Sequence, residues 1–459
     1  MTDIYYQQQL TSIEKIGLFA VIFRIIWTPL QVWSLHFDGA GRLSFCFLLF
    51  AFILLFHEIK QYSWEKPLTI YTVLAAYMIF NGLLKGSAAM YEKDGIWLMI
   101  TQLSSPILSM LIIALCARIN FNTTLKWLAR GLFFYCLLCF IFSTIDDEGR
   151  LNAEINANEI AIHGAIGFGL YLLFLLREEI KSLTIIALIF LAFTIILTGS
   201  RMGLAMISLM CIFFIGIKYD LRDSNKLFGA LIVFIAFISI SFYIMDNTLI
   251  GERMLGTTTD YEKMTIKTGT ILDFYGDRGA QYYFSWPVFL KHPITGIGFN
   301  QWIKYSPSKL VCHSEYMVQY VECGLIAFSL FIWFWYLMLR NIIKSIKSSG
   351  THKDVLKMLL AFLFAIIFSN TVLWSYNMVC VFVVYALAFA YMKNVEDVMN
   401  EWNALQPLSD RDREMLSRRF TIDFNYNSNH IEGNTLTYGQ TEILLMFGKI
   451  VGEAEVRDV

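Results

Sequence analysis

The sequence predicts an all-α protein, a polytopic bundle of transmembrane helices with about 12 spans. Hydrophobic residues make up 57% of the 459 residues and charged residues only 16%, whereas a soluble domain carries about 25% charged residues. Polar groups are therefore too few to cover the apolar surface in water. The apolar residues also lie in runs long enough for an α-helix to cross a bilayer. This composition therefore predicts a protein whose helices lie in a lipid bilayer.

The apolar runs define the predicted spans, each close to the length that a helix needs to cross the hydrocarbon core. They cover residues 16–35, 43–57, 68–84, 95–117, 127–145, 159–176, 183–199, 202–217, 227–245, 314–339, 356–370 and 376–392. The first run keeps Arg24 and has no small-residue cleavage site, so we interpret it as a retained anchor rather than a signal peptide.

Lysine and arginine in the short loops predict the orientation of the bundle. If the N-terminus lies inside, these residues concentrate in the inward loops, and the loop after the fifth span is acidic and faces outward. Both termini are then cytoplasmic, and one long loop at about 246–313 faces outward. We expect two parts, a transmembrane domain at 1–393 and a short, soluble helical tail at 394–459.

Composition also argues against several kinds of partner. The net charge of −1 and the lack of a basic face give no sign of nucleic acid binding. The eight cysteines lie mostly in apolar runs, so no secreted disulfide framework is expected. The outer segments contain neither an Asp-x-Asp motif nor a His/Cys cluster with zinc spacing, so we expect no metal and no cofactor.

Three basic residues fall on the predicted outer side: Arg201, Arg278 and His313. Arginine stays charged and binds pyrophosphate oxygens through paired hydrogen bonds, and histidine can take a proton from a sugar hydroxyl near neutral pH. Transfer of a sugar from a polyprenyl pyrophosphate needs both functions. Taken singly, Arg201 is equally well explained as an interfacial side chain. Arg278 alone is more often a surface charge, and His313 alone is more often an interfacial histidine.

Two further residues carry a weaker signal. His163 lies one helical turn after Glu159, where a structural pair is the simpler explanation, and Arg24 is an intramembrane charge, which is costly and often functional. The outer loop also contains Gly296 and Gly298, and these glycines favour a segment that folds tightly against the membrane.

The motifs resemble the O-antigen ligase and polymerase superfamily. The first is Ser200-Arg201 at the start of a span, and the second is Arg278 followed by a His-Pro-x-x-Gly-x-Gly stretch at 292–298. The third is His313-Ser314, then nine residues and Gly324, which is similar to the ligase signature. Ala327 departs from that signature, where ligases have Gly, Thr or Tyr, and this favours the polymerase alternative.

The resemblance implies a metal-independent, inverting glycosyltransferase in the bacterial inner membrane, with its active site toward the periplasm. The implied donor is a glycan linked to undecaprenyl pyrophosphate. The acceptor is lipid A–core for a ligase or another lipid-linked glycan for a polymerase. His313 is the expected catalytic base, Arg201 and Arg278 the pyrophosphate-binding residues, and His163, Glu315 and Gly324 supporting residues. A lipid-linked glycan transporter is the alternative of another class, but it would need charged residues deep in several spans.

The tail resembles a different family. Ser428-x-x-x-Glu432-Gly433 is similar to the autoinhibitory helix motif of Fic-family proteins. The catalytic Fic motif, His-x-Phe-x-x-Gly-Asn-Gly-Arg, is absent from the sequence. We therefore expect the tail to be a truncated N-terminal Fic fragment without AMP transfer.

Overall fold

A computed structural model describes most of the chain. The described residues are 8–30, 40–62, 65–86, 95–145, 150–152, 155–177, 182–218, 266–275, 277–307, 309, 311–348, 353–431 and 437–447. Within these ranges the protein is helical apart from turns and one short antiparallel hairpin, β1 (Thr144–Ile145) with β2 (Leu151–Asn152). The chain divides into two compact units, Met1–Glu396 and Asp397–Val459. The predicted division at 393/394 stays a prediction.

The helices before the outer loop follow the apolar runs of the sequence. They are α1 (Ser12–Leu30), α2 (Ala40–Leu54), α3 (Phe56–Tyr62), α4 (Lys66–Leu84), α5 (Gly95–Ile119), α6 (Phe121–Phe142), α7 (Ala157–Arg177), α8 (Ser182–Leu197) and α9 (Arg201–Lys218). Local chemistry sets several ends: Pro67 occupies the first turn of α4, and the Asn120 side chain accepts a hydrogen bond from the Thr123 N–H at the start of α6.

The second half contains shorter elements between long helices. They are a 3₁₀ turn (Ile271–Tyr275), α10 (Asp277–Lys291), α11 (Trp302–Tyr305), α12 (Glu315–Met317), a π-helical turn (Val318–Glu322), α13 (Gly324–Ser348), α14 (Lys353–Ser369), α15 (Val379–Ala404), α16 (Asp410–Ile431) and α17 (Tyr438–Phe447). The predicted outer loop therefore contains a helix of 15 residues, α10. The predicted span at 314–339 overlaps only in part with the observed helix, which begins at Gly324 and continues to Ser348.

Seven of the described helices are long and apolar enough to cross a membrane, namely α4, α5, α6, α7, α9, α13 and α15. An eighth is reached if α2 and α3, which are bent by 66° at their junction, form one span. These helices confirm an all-α protein with several candidate membrane spans. The predicted run at 227–245 lies outside the described residues, so the count of twelve and the inside position of both termini remain predictions.

The core of the first unit is packed by small and aromatic side chains. Tyr385 of α15 is fully buried, and its ring contacts Tyr71 of α4 and Phe334 of α13 with centroids 6.0 and 5.1 Å away. At Gly203 of α9, an added Cβ would lie 2.8 Å from the Cβ of Ala161 in α7. Small residues permit this close helix approach, which is the usual means of packing helices in lipid.

Helices α4 and α13 run antiparallel and define two ends of the bundle. The Tyr77 hydroxyl, near the end of α4, donates to the Cys323 carbonyl directly before α13. At the start of α4, Lys66 lines the same cavity as Arg340 from the later turns of α13. We call the end with Tyr77 and Cys323 the site end, and the end with Lys66 and Arg340 the opposite end.

Candidate functional site

Helix α10 lies against the segment that carries His313. The Tyr282 hydroxyl donates to Ser314 Oγ at 2.6 Å, and Gln281 Nε2 donates to the Val311 carbonyl at 3.1 Å. Arg278 precedes these two residues by three and four positions, which places all three on one face of the helix. The side of α10 that contacts residues 311–314 therefore also carries Arg278.

His313 is held in one orientation by its own loop. The ring is half-buried and lies beside Trp374, with centroids 5.1 Å apart. Its Nδ1 is 2.8 Å from the Val311 carbonyl oxygen. Because a carbonyl oxygen only accepts, Nδ1 of the neutral ring must carry the proton, and Nε2 then presents a lone pair. The geometry thus selects the tautomer that a general base needs.

The surroundings keep His313 neutral. Burial lowers the pKa of His313, and the Arg278 charge lowers it further, while the hydrogen bond to the Val311 carbonyl has a smaller, opposite effect. The ring therefore stays unprotonated to a lower pH than an exposed histidine. The same interaction places Arg278, on the half-buried first turn of α10, within electrostatic range of His313.

Ser314 joins three elements at this point. Besides accepting from Tyr282, its hydroxyl donates to the Asn370 carbonyl at 3.0 Å, just beyond α14. It also accepts from the Met317 N–H and so caps the short helix α12. The Tyr282 hydroxyl additionally contacts the Thr371 carbonyl. These bonds fix the backbone on the C-terminal side of His313.

Glu315 is a buried carboxylate with its acceptor positions engaged. Its Oε2 accepts from the backbone N–H of Ser375 at 2.7 Å and of Tyr376 at 3.0 Å. Its Oε1 accepts from Gln319 Nε2 at 2.7 Å. The residue is fully buried, so it anchors the turn that follows α14 and does not present its carboxylate at the surface.

The glycine turn, residues 293–298, folds against the start of α13. Gly296 and Gly324 both have positive φ, 65° and 77°, a conformation that suits glycine. The Ile297 N–H donates to the Val321 carbonyl at 3.0 Å, and the Leu325 N–H donates to the Pro293 carbonyl at 2.8 Å. Residues 293–298 and 321–325 thereby form one hydrogen-bonded unit.

The last turns of α4 hold the same glycine turn from the other side. Asn81 Nδ2 donates to the Thr295 carbonyl at 2.8 Å, and the Asn81 Oδ1 accepts from the Phe299 N–H at 2.9 Å. Lys85 Nζ lies 2.8 Å from Thr295 Oγ1 and also contacts the Gly296 carbonyl. A helix more than 200 positions earlier in the sequence thus anchors this turn.

Arg201 and His163 belong to a neighbouring region at the same end. Arg201 is exposed on the first turn of α9, and Ser200 directly before it donates to Asn158 Oδ1 at 2.9 Å. The His163 ring stacks on Tyr135 at 4.1 Å, and its Nδ1 is 2.9 Å from the Glu159 carbonyl oxygen. These contacts give His163 a structural environment. The Ser200 bond ties the start of α9 to the start of α7.

A chain of contacts connects the two regions. Glu159, in the first turn of α7, lies within electrostatic range of Cys380 at the start of α15. The turn before α15 contains Ser375, which binds Glu315 next to the His313 segment. Arg201 and His313 therefore lie at one end of the bundle. That this end faces outward stays a prediction.

A further polar group lies among the first helices. Arg24 donates to Ser105 Oγ at 3.3 Å through Nε and to Ser44 Oγ at 3.1 Å through Nη1. It also lies within electrostatic range of Glu159. Arg24 thus joins α1, α2 and α5. In the described part of the chain, no three side chains of the His, Cys, Asp or Glu types are grouped closely enough to hold a metal ion.

Comparison with known families identifies the central part of the chain. Residues 186–332 match the family model described as O-antigen ligase. The match includes Arg201, Arg278 and His313 and supports the ligase and polymerase superfamily. It covers roughly a third of the chain, from 186 to 332 of 459 residues. Together with the candidate spans, it supports a multi-pass bacterial membrane protein whose central part is similar to O-antigen ligases. No curated protein matches the chain significantly.

The sequence does not reveal several contacts of this candidate site. Tyr282 and Gln281 were not singled out, although their spacing from Arg278 is a helical signal. Glu322 was also missed: its carboxylate accepts from the N–H groups of Asn300 at 2.9 Å and Trp302 at 3.0 Å. The position of Glu322 next to an apolar helix could have revealed it, because a buried carboxylate needs hydrogen-bond donors around it.

The predicted Fic motif falls largely outside the described residues. Ser428 belongs to α16, but its side chain is not described, and Glu432 and Gly433 lie outside the described ranges. The resemblance of the tail to Fic-family proteins stays a prediction.

Proposed function

We propose that this protein is a glycosyltransferase of the bacterial inner membrane, an O-antigen ligase that transfers a glycan from undecaprenyl pyrophosphate to lipid A–core at the periplasmic face. One observation carries the proposal. A histidine whose tautomer is set for proton removal, His313, lies within electrostatic range of Arg278 inside the residues that match the O-antigen ligase family.

His313 acts as the general base in this proposal. Its Nε2 removes the proton of the acceptor hydroxyl as that oxygen attacks the anomeric carbon of the donor sugar. The bond from the anomeric carbon to the phosphate oxygen breaks, and the pyrophosphate leaves with the bonding electron pair. Attack opposite the leaving group inverts the anomeric configuration. The Val311 carbonyl stabilises the protonated ring because it continues to accept from Nδ1.

Arginine stabilises the leaving group. Arg278 makes charge-assisted hydrogen bonds to the pyrophosphate oxygens, which gain negative charge in the transition state. Arg201 contributes a second guanidinium from the first turn of α9. With these two cations the proposed reaction proceeds without a metal ion, as the family resemblance implies.

The supporting residues act through position. Ser314, Tyr282 and Glu315 hold the backbone after His313, and Gln281 holds the Val311 carbonyl before it. Gly324 allows the 293–298 turn to lie against the start of α13. His163, with its ring stacked and buried, serves the neighbouring helix packing rather than proton transfer.

The test is transfer from a synthetic lipid-linked donor by purified variants. His313→Ala should lower kcat by about 10²- to 10⁴-fold and leave donor binding intact, as expected for loss of a general base. The control is His57→Ala, which removes an exposed histidine of α3 and should leave turnover unchanged. Near-wild-type turnover of His313→Ala would refute the base assignment.

A polymerase is the second candidate, favoured by Ala327 at the position where ligases have Gly, Thr or Tyr. The two activities share the donor and differ in the acceptor. Deletion of the gene followed by gel analysis of surface glycan distinguishes them. A ligase mutant loses all glycan from the lipid A–core and accumulates lipid-linked polymer, whereas a polymerase mutant still carries one repeat unit on the core.

A further inference from the structure

A second cavity lies at the opposite end of the bundle, away from His313. It has a volume of ≈ 460 Å³ and opens between the start of α4 and the later turns of α13. Its lining includes three cations, Lys66, Arg340 and Lys344, and two aromatic side chains, Trp333 and Tyr336. None of its lining residues is acidic.

Nearby carboxylates are already engaged with another lysine. Glu65 precedes Lys66 in the sequence, but its carboxylate lies 2.7 Å from Lys393 Nζ. Glu396 also binds Lys393, at 2.6 Å, and lies within electrostatic range of Lys344. The cavity therefore keeps an excess of positive charge and would attract an anionic group.

The aromatic and basic residues form one stripe along α13. Trp333, Tyr336, Arg340 and Lys344 are separated by three, four and four positions, which is the spacing of one helix face. The Trp333 and Tyr336 side chains are 52% and 57% exposed, although α13 is a candidate membrane span. Tryptophan and tyrosine concentrate where hydrocarbon meets headgroups, so the stripe follows the path from acyl chains to headgroups.

We propose that this cavity binds an acidic phospholipid of the adjacent leaflet. The phosphate lies among Lys66, Arg340 and Lys344, and the acyl chains lie along Trp333 and Tyr336. Basic pockets between membrane helices are a known type of lipid headgroup site. A free phosphate ion would use the three cations, but it would leave the two exposed aromatic rings without a role.

The ligand would join the two helices that hold the glycine turn at the site end. Helix α4 binds Thr295 through Asn81, and α13 begins at Gly324, beside the same turn. A lipid between Lys66 and Arg340 therefore stabilises this pair at its other end. Heat stability is a suitable second measurement beside binding.

The experiment uses the full-length protein in detergent and measures retained lipid by native mass spectrometry. Phosphatidylglycerol is the acidic probe, phosphatidylethanolamine the neutral control, and inorganic phosphate the competitor. A basic residue near an anionic lipid contributes about fivefold in affinity. The double variant Lys66→Gln with Arg340→Gln should retain phosphatidylglycerol about 20- to 30-fold more weakly.

Two matched variants separate the parts of the site. Lys347→Gln removes an exposed cation of α13 that does not line the cavity, and it should leave lipid binding unchanged. Trp333→Ala should weaken retention of phosphatidylglycerol, because it removes the surface against which the acyl chains lie. Phosphatidylglycerol should also raise the unfolding temperature of the wild type and of Lys347→Gln, but not that of the double variant.

Three results would overturn the proposal. The first is equal retention of phosphatidylglycerol by the double variant and the wild type. The second is equal retention of phosphatidylethanolamine and phosphatidylglycerol by the wild type. The third is displacement of the lipid by inorganic phosphate together with full binding in Trp333→Ala, which would show a site for a free anion.

Discussion

Gly324→Ala is expected to detach the glycine turn from the start of α13. The residue has φ 77°, which costs a non-glycine residue about 1–2 kcal/mol. A Cβ at this position would also overlap the Ile294 carbonyl oxygen, so the turn must move. That movement breaks the bonds from the Leu325 N–H to the Pro293 carbonyl and from the Ile326 N–H to the Ile294 carbonyl, at about 0.5–1.5 kcal/mol each.

The backbone strain and the two lost hydrogen bonds together destabilise the docked turn by about 2–5 kcal/mol. This corresponds to a shift of roughly 30- to 5,000-fold toward the undocked state. Hydrogen–deuterium exchange of peptides covering 293–299 and 321–326 measures docking, and glycan transfer measures the consequence for activity. Gly269→Ala is the control for backbone strain, because Gly269 has φ 70° and open space around it. Gly216→Ala has open space without positive φ.

The expected order of damage follows from these geometries. Gly324→Ala should lose both protection and transfer, Gly269→Ala should show a small loss of stability alone, and Gly216→Ala should resemble the wild type. Retained protection at 321–326 in Gly324→Ala, or equal loss in Gly269→Ala, would refute the assignment of the effect to the docked turn.

Two further predictions concern Arg278, whose charge lies near His313, and the C-terminal tail. Arg278→Gln removes one of the two causes that lower the pKa of His313, so that pKa should rise. The base is active when neutral, so activity is lost as the pH falls through its pKa. The acidic limb of the kcat/KM profile of Arg278→Gln should therefore lie at higher pH than that of the wild type. An unchanged acidic limb would contradict the electrostatic link between Arg278 and His313. Deletion of 405–459, which spares α15, should leave transfer intact, and loss of transfer by a normally inserted protein would show that the tail contributes.

Hydropathy predicts the long apolar helices well, because lipid burial acts on every residue of such a segment. The predicted spans at 68–84 and 95–117 agree within two residues with Lys66–Leu84 and Gly95–Ile119. Hydropathy fails where a helix is not apolar. Helix α10 contains Pro287 and many polar residues, so its hydropathy predicts a loop rather than a helix.

The candidate site also has a part that the sequence predicts and a part that it does not. Residue chemistry was sufficient to select Arg278 and His313, since few side chains bind pyrophosphate or accept a proton near neutrality. The contacts that fix them depend on pairs far apart in sequence. Lys85 with Thr295 and Tyr282 with Ser314 are separated by 210 and 32 positions, and no local periodicity encodes such pairs.

The π-helical turn at Val318–Glu322 has a consequence for how this region can change during evolution. A π turn accommodates one more residue than an α turn, and here it lies inside the nine residues between Ser314 and Gly324. Removal of one residue would restore α geometry and rotate everything after it by about 100° relative to α12. Gly324 would then leave the 293–298 turn. Substitutions within the segment can be absorbed locally, whereas a single insertion or deletion cannot, so its length is more constrained than its composition.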